Sequence, residues 1–147
     1  MLTIQEFIKK HNITMECVKV HENPNLIDKE WKADHFACIL RKRGKTMQVF
    51  FSMGLGNRKK FKRGSFQDGR WPEGKPVNPK LDRVLDSLIL DSDALEYTFS
   101  FWASNFGYSD DSIQAKKTYD ICIELAIKLK NFLGSEAFEE LKNCERL

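Results

Sequence analysis

No stretch of this 147-residue chain approaches the roughly 18 consecutive apolar residues of a membrane span, and the N-terminus lacks the basic-then-apolar pattern of a secretory signal. The expectation is therefore a soluble cytoplasmic protein without a membrane partner. Histidine is scarce: His11, His21 and His35 are the only three, and none sits in a nucleophile or metal-ligand spacing. His35 and Cys38 are close in sequence, but residues three apart on a strand face opposite sides, and further ligands are missing nearby. No metal and no cofactor is expected. Gly54-Leu55-Gly56 follows a strand pattern, yet no Gly-Lys-Ser/Thr comes after it, so a turn needing positive φ explains the glycines better than a phosphate loop. Cys17, Cys38, Cys122 and Cys144 form no Cys-x-x-Cys pair. Free thiols and two disulfides of undetermined pairing are both open, and the reducing-compartment rule favours free thiols.

What the chain does have is apolar mass. Apolar residues make up 41% of it, with 11 Phe, 3 Trp and 3 Tyr, which is far more than a disordered tail carries. One domain over residues 1–147 with an ordinary core is the natural organisation at this length. Charge is unevenly placed. Residues 1–80 hold 17 Lys/Arg against 8 Asp/Glu, a net +9, whereas residues 81–147 hold 7 against 13, a net −6. Between residues 41 and 67 there are nine cations and no acid. A field of one sign steers anionic partners, whether phosphate backbones or acidic protein surfaces, and disfavours mimicry of duplex DNA.

Thr3 and Glu6 form a capping box, Leu2 and Phe7 fit the hydrophobic staple across it, and Asn12 suits a left-handed stop, so a helix opens the chain. Residues 13–20 alternate as a strand, with Ile13, Met15, Cys17 and Lys19 on one side, although Val18 and Val20 blur the opposite face. Residues 35–42 and 45–53 flank Arg43-Gly44 as a hairpin; the first strand offers Phe36, Cys38 and Leu40 on one face, and the second offers Met47, Val49 and Phe51. Residues 54–78 carry five of eight glycines and no regular period, which predicts a long functional loop within the domain. Helices follow. Asn78-Pro79 starts one with the stripe Leu81, Val84, Leu85 and Leu88; Asp93 and Glu96 start a second; Ser109 or Asp110 starts the longest; Ser135 starts the last. The fold class is α+β: an N-terminal helix, a three-stranded antiparallel sheet, then about four helices packed on one sheet face.

Asp82, Asp86, Asp91, Asp93 and Glu96 offer paired carboxylates, but Asp91-x-Asp93 lacks the glycine and distal glutamate of a calcium loop, and acids favour helix starts anyway. Phe99, Trp102 and Phe106 recur at helical spacing and are expected in the core. The basic segments are the strongest functional signal. Arg41, Arg43 and Lys45 occupy the hairpin turn; Arg58, Lys59, Lys60, Lys62 and Arg63 occupy the long loop, with Phe61 and Trp71 interleaved. Cations with aromatics hold single-stranded nucleic acid or anchor a protein interface. Both segments are expected to project from the same end of the sheet.

Ile13-Thr14-Met15, Glu22-Asn23-Pro24-Asn25, Asp34-His35-Phe36, Phe51-Ser52-Met53-Gly54, Val84-Leu85-Asp86-Ser87-Leu88, Phe106-Gly107-Tyr108, Asp111-Ser112 and Phe132-Leu133-Gly134 stand in an order that resembles a family of small uncharacterised bacteriophage and prophage proteins. The chain departs from that family in its longer, basic 54–78 segment. The resemblance implies a mobile-element accessory protein and brings no catalytic residues. Accessory proteins of this size often inhibit host defence, anti-CRISPR proteins among them. The expectation is a non-enzymatic inhibitor that binds a host protein or nucleoprotein complex with an acidic or nucleic-acid-binding surface. The alternative is direct binding of single-stranded or non-specific nucleic acid in phage replication or packaging.

Overall fold

The computed structural model describes residues 1–26, 33–54 and 78–147. Helix α1 (Ile4–His11) begins where the sequence says it should. Thr3 Oγ1 accepts from the Glu6 amide, and the Glu6 carboxylate accepts from the Thr3 amide, both at 3.1 Å. Asn12 ends the helix in the left-handed region (φ 52°) and turns the chain directly into β1 (Thr14–Val20). β2 (Ala33–Lys42) and β3 (Lys45–Gly54) follow, and the sheet is an antiparallel meander in the order β1-β2-β3. The β2–β3 connection is the two-residue turn Arg43-Gly44, with φ of 47° and 82°, the primed geometry whose twist matches that of the flanking strands.

Register decides which side chains are inside. With Lys42 opposite Lys45, the pairs Phe36–Phe51, Cys38–Val49 and Leu40–Met47 share one sheet face. Onto it pack Ile4 and Phe7 of α1, then the stripe Val84, Leu85, Leu88 and Ile89 of α2 (Leu81–Asp91). Leu129, Phe132 and Leu133 of α4 (Ile113–Leu133) and Ala137, Phe138 and Leu141 of α5 (Ser135–Lys142) complete the same cluster. Each large apolar side chain removed from water here contributes about 1.5–3 kcal/mol. The α+β architecture expected from the sequence is the one observed. Among the described residues no helix is long and apolar enough to cross a membrane.

Helix starts shift by a few residues, for local reasons. α2 begins at Leu81 rather than at Pro79; Lys80 is its N-cap without a side-chain bond, and the Asp82 carboxylate accepts from the Arg83 amide at 2.7 Å. Asp93 and Glu96 lie in a 3-10 turn (Ser92–Glu96), and α3 (Phe99–Asn105) opens only after extended Tyr97, capped by Thr98. α4 is capped by Ser112, whose hydroxyl accepts from the Ala115 amide at 3.2 Å, and not by Ser109 or Asp110.

The aromatic trio of α3 does not stay together in the core. Trp102 is buried with Ala94, Ala103, Ala115 and Cys122 in a second cluster, and Phe99 is half-buried beside it. Phe106, however, is 46% exposed. α3 stops at Asn105, so Phe106 leaves the helical stripe and lies on the rim of Trp102 at a ring separation of 5.3 Å. Tyr108 stacks on the same indole (5.5 Å, 10°), and Tyr119 meets it edge-on at 5.3 Å. Trp102→Ala should therefore cost about 3–5 kcal/mol in urea unfolding, and Phe106→Ala less than about 1 kcal/mol. Equal losses would show that both rings are core.

Candidate functional site

The hairpin turn collects positive charge beside the C-terminal end of α4. Two lysines tie it there: Lys42 Nζ donates to the Leu133 carbonyl at 2.6 Å, and Lys45 Nζ donates to the Asn131 carbonyl at 3.3 Å. The last carbonyls of a helix lack intrahelical partners and carry its negative dipole end, so ammonium groups are the natural caps. Burial, with the Arg43 and Lys45 charges close by, holds the Lys42 ammonium below the usual lysine range. A cleft of about 460 Å³ lies between β3 and α4, lined by Lys45, Thr46, Met47, Gln48, Lys128, Asn131 and Phe132. Its polar wall is two ammonium groups, two amides and a hydroxyl, a set able to contact phosphate or carboxylate oxygens.

The three sequence-derived candidates at the turn differ in their freedom. Arg41 pairs with Glu16 across the β1–β2 register. Lys45 is engaged by α4. Arg43 is exposed at the tip and forms no ion pair among the described residues. Lys128, which sequence inspection did not single out, joins this group because α4 runs back along β3; only the tertiary packing brings it there. The other candidates, Arg58, Lys59, Lys60, Phe61, Lys62, Arg63 and Trp71, lie outside the described residues.

Where residues 55–77 project lies outside the described residues; the ends of the segment, Gly54 and Asn78, are described. The 54–78 segment does not leave the sheet at the end that carries the turn. β3 runs from Lys45, opposite Lys42 at the turn, to Gly54, opposite Ala33. At about 3.4 Å per residue, a ten-residue strand puts Gly54 roughly 30 Å from Lys45. In an antiparallel hairpin, a segment that follows the second strand must start at the far end.

Three of the short motifs quoted for the family resemblance meet at that far end. His35 and Ser52 are register partners, with His35 Nδ1 2.7 Å from Ser52 Oγ. Asn23 Nδ2 donates to the same Oγ at 2.9 Å, and Asn23 Oδ1 accepts from the Asn25 amide, an Asx turn that pins the Asn-Pro-Asn corner onto the sheet. His35 and Cys38 do face opposite sides: the imidazole is half-buried in this polar latch, and the thiol is in the core.

The acidic residues disperse. Asp82 accepts from Gln5 Nε2 at 2.7 Å, Asp86 faces Arg146 at 3.5 Å, and Glu96 pairs with Lys142. Among the described residues no three His, Cys, Asp or Glu side chains gather as a metal would require. Asp91 ends α2, where a negative charge meets the negative end of the helix. Burial, with the Asp93 carboxylate nearby, pushes its carboxyl up to about 6, and burial together with Asp91 pushes the Cys122 thiol up to about 12.

An unfolded aspartate titrates near 4, so between about pH 4 and 6 the native state holds a proton that the unfolded chain has released. Stability therefore falls as pH rises through that window. Asp91→Asn should stabilise the protein by about 1–3 kcal/mol at pH 7, with the gain gone below pH 4 in thermal melts. A gain that is independent of pH would contradict this account.

Comparison with protein-family models, with curated proteins and with solved structures gives no match to this chain.

Proposed function

We propose that this is a non-enzymatic accessory protein of bacteriophage type that inhibits a host-defence nucleoprotein complex, anti-CRISPR-like in role, by placing its cationic hairpin end on an anionic surface of that complex. The observation that carries this reading is the arrangement at the turn. Arg43 stands exposed and unpaired among the described residues, with the Lys42 and Lys45 charges beside it; Lys45 shares the adjoining cleft with Lys128, and no carboxylate lies among the described residues of its lining. Like charges held together destabilise one another, so an anion that neutralises them is drawn in. The cations of residues 58–63 enlarge the basic character of the chain in this reading, with Phe61 and Trp71 as apolar anchors. Their segment begins at Gly54, at the end of the sheet opposite the turn.

A second reading is direct binding of single-stranded nucleic acid. It is favoured by the cleft wall, where hydroxyl and amide groups of Thr46, Gln48 and Asn131 alternate with lysines, since such groups contact phosphate and sugar without reading bases.

The combined charge reversal Arg43→Glu, Lys45→Glu and Lys128→Glu should abolish capture of the complex from nuclease-treated host extract while the circular dichroism melt stays cooperative. Retained capture would remove the hairpin from the interface. For the second reading, the unchanged protein should retard a single-stranded oligonucleotide, and the slope of log affinity against log salt should fall by about 2 in the triple variant. No retardation at low salt would dismiss it.

A further inference from the structure

Cys17 and Cys38 are direct register partners on β1 and β2. Their sulfurs lie 2.7 Å apart. Heavy atoms that merely touch stay roughly 3.5–4 Å apart, and a disulfide bond is about 2.05 Å, so this pair stands inside ordinary contact and closer to the bond length. Residues directly opposite on antiparallel strands have Cα separations of about 4.5–5.5 Å, inside the range of about 4.4–6.8 Å that a disulfide spans. Side-chain rotation alone can close the remaining gap, and no strand has to shift. The pair is also unlike the other two cysteines. Cys122 on α4 and Cys144 after α5 are each buried without a thiol beside them, and Cys144 Sγ instead faces the Glu140 carbonyl at 3.4 Å.

We propose that Cys17 and Cys38 form a reversible dithiol–disulfide site, oxidised by peroxide and reduced by small thiols. Cys17 belongs to an edge strand and is half-exposed, whereas Cys38 has no exposed surface, so a dissolved oxidant meets Cys17 first. Burial and the adjacent Cys17 raise the Cys38 thiol well above the ordinary range, so it remains a protonated thiol beside Cys17. The Cys17 thiolate attacks one oxygen of hydrogen peroxide. An S–O bond forms, the O–O bond breaks, and the departing hydroxide takes up a proton as water, leaving a sulfenic acid. Cys38 sulfur then attacks Cys17 sulfur. The S–S bond forms, the S–O bond breaks, and the hydroxide leaves with the Cys38 proton as a second water. Two thiols have lost two electrons and two protons, and one peroxide has become two waters. A small thiol reverses the step by exchange through a mixed disulfide on Cys17.

The bond would tie the edge strand to the centre of the sheet and close a 21-residue separation in sequence, which restricts the unfolded chain. The folded full-length protein treated with equimolar hydrogen peroxide should lose 2 Da, keep two of its four titratable thiols, and yield a Cys17–Cys38 linked peptide on non-reducing digestion. Its melting temperature should rise by about 5–10 °C and return on reduction. Cys122→Ser with Cys144→Ser should leave the mass loss intact, and the half-exposed Cys17→Ser should abolish it while the protein stays folded. Oxidation that stops at added oxygen, links chains together, joins Cys122 or Cys144, or leaves all four thiols titratable would overturn the proposal.

Discussion

The register of the β2–β3 hairpin is the constraint on which the rest depends. Two consecutive residues with positive φ, Arg43 and Gly44, set Lys42 against Lys45, and every other pair in the ladder follows. Side chains alternate with a period of two, so a slip of one residue would send Phe36, Cys38 and Leu40 into solvent and bring His35 and Ile39 into the core. The same slip would part His35 from Ser52. Of the two turn residues, Gly44 has the free choice of backbone geometry; arginine accepts its φ of 47° at some conformational cost, which the matching apolar faces of both strands offset.

Much of this was legible in the chain itself, because local chemistry decided it. The capping box at Thr3 and Glu6, the stop at Asn12, the two-residue turn and the inward faces of β2 and β3 each rest on contacts within a few residues or within one hairpin. Helix starts were less legible where several candidates competed. Thr98 and Ser112 outdid Asp93, Ser109 and Asp110 because their hydroxyls reach an amide three residues on, and the Ser109 hydroxyl donates to Asp111 instead. Phe106 misled because a helical stripe continues on paper past the residue at which the helix ends.

The candidate site was legible in composition and illegible in place. That residues 41–45 are cationic needs no structure. That Lys128 stands beside them, and that the root of the 54–78 segment lies a strand's length away, follows from antiparallel order and from the direction in which α4 returns. The closeness of Cys17 to Cys38 belongs to the same class. They are 21 positions apart in sequence, and only the β1–β2 register makes them neighbours. The polar latch of Asn23, His35 and Ser52 likewise joins three segments that carry no common signal when read separately.

The bonds from Lys42 and Lys45 to the end of α4 reach beyond the turn. A 21-residue helix is a stiff rod about 30 Å long, and its opposite end carries Ala115 and Tyr119 against Trp102. With the hairpin tip fastened to one end and the indole cluster seated at the other, a single helix spans from the charged tip to the aromatic surface of Phe106 and Tyr108, and the two surfaces are held at a fixed separation by its length.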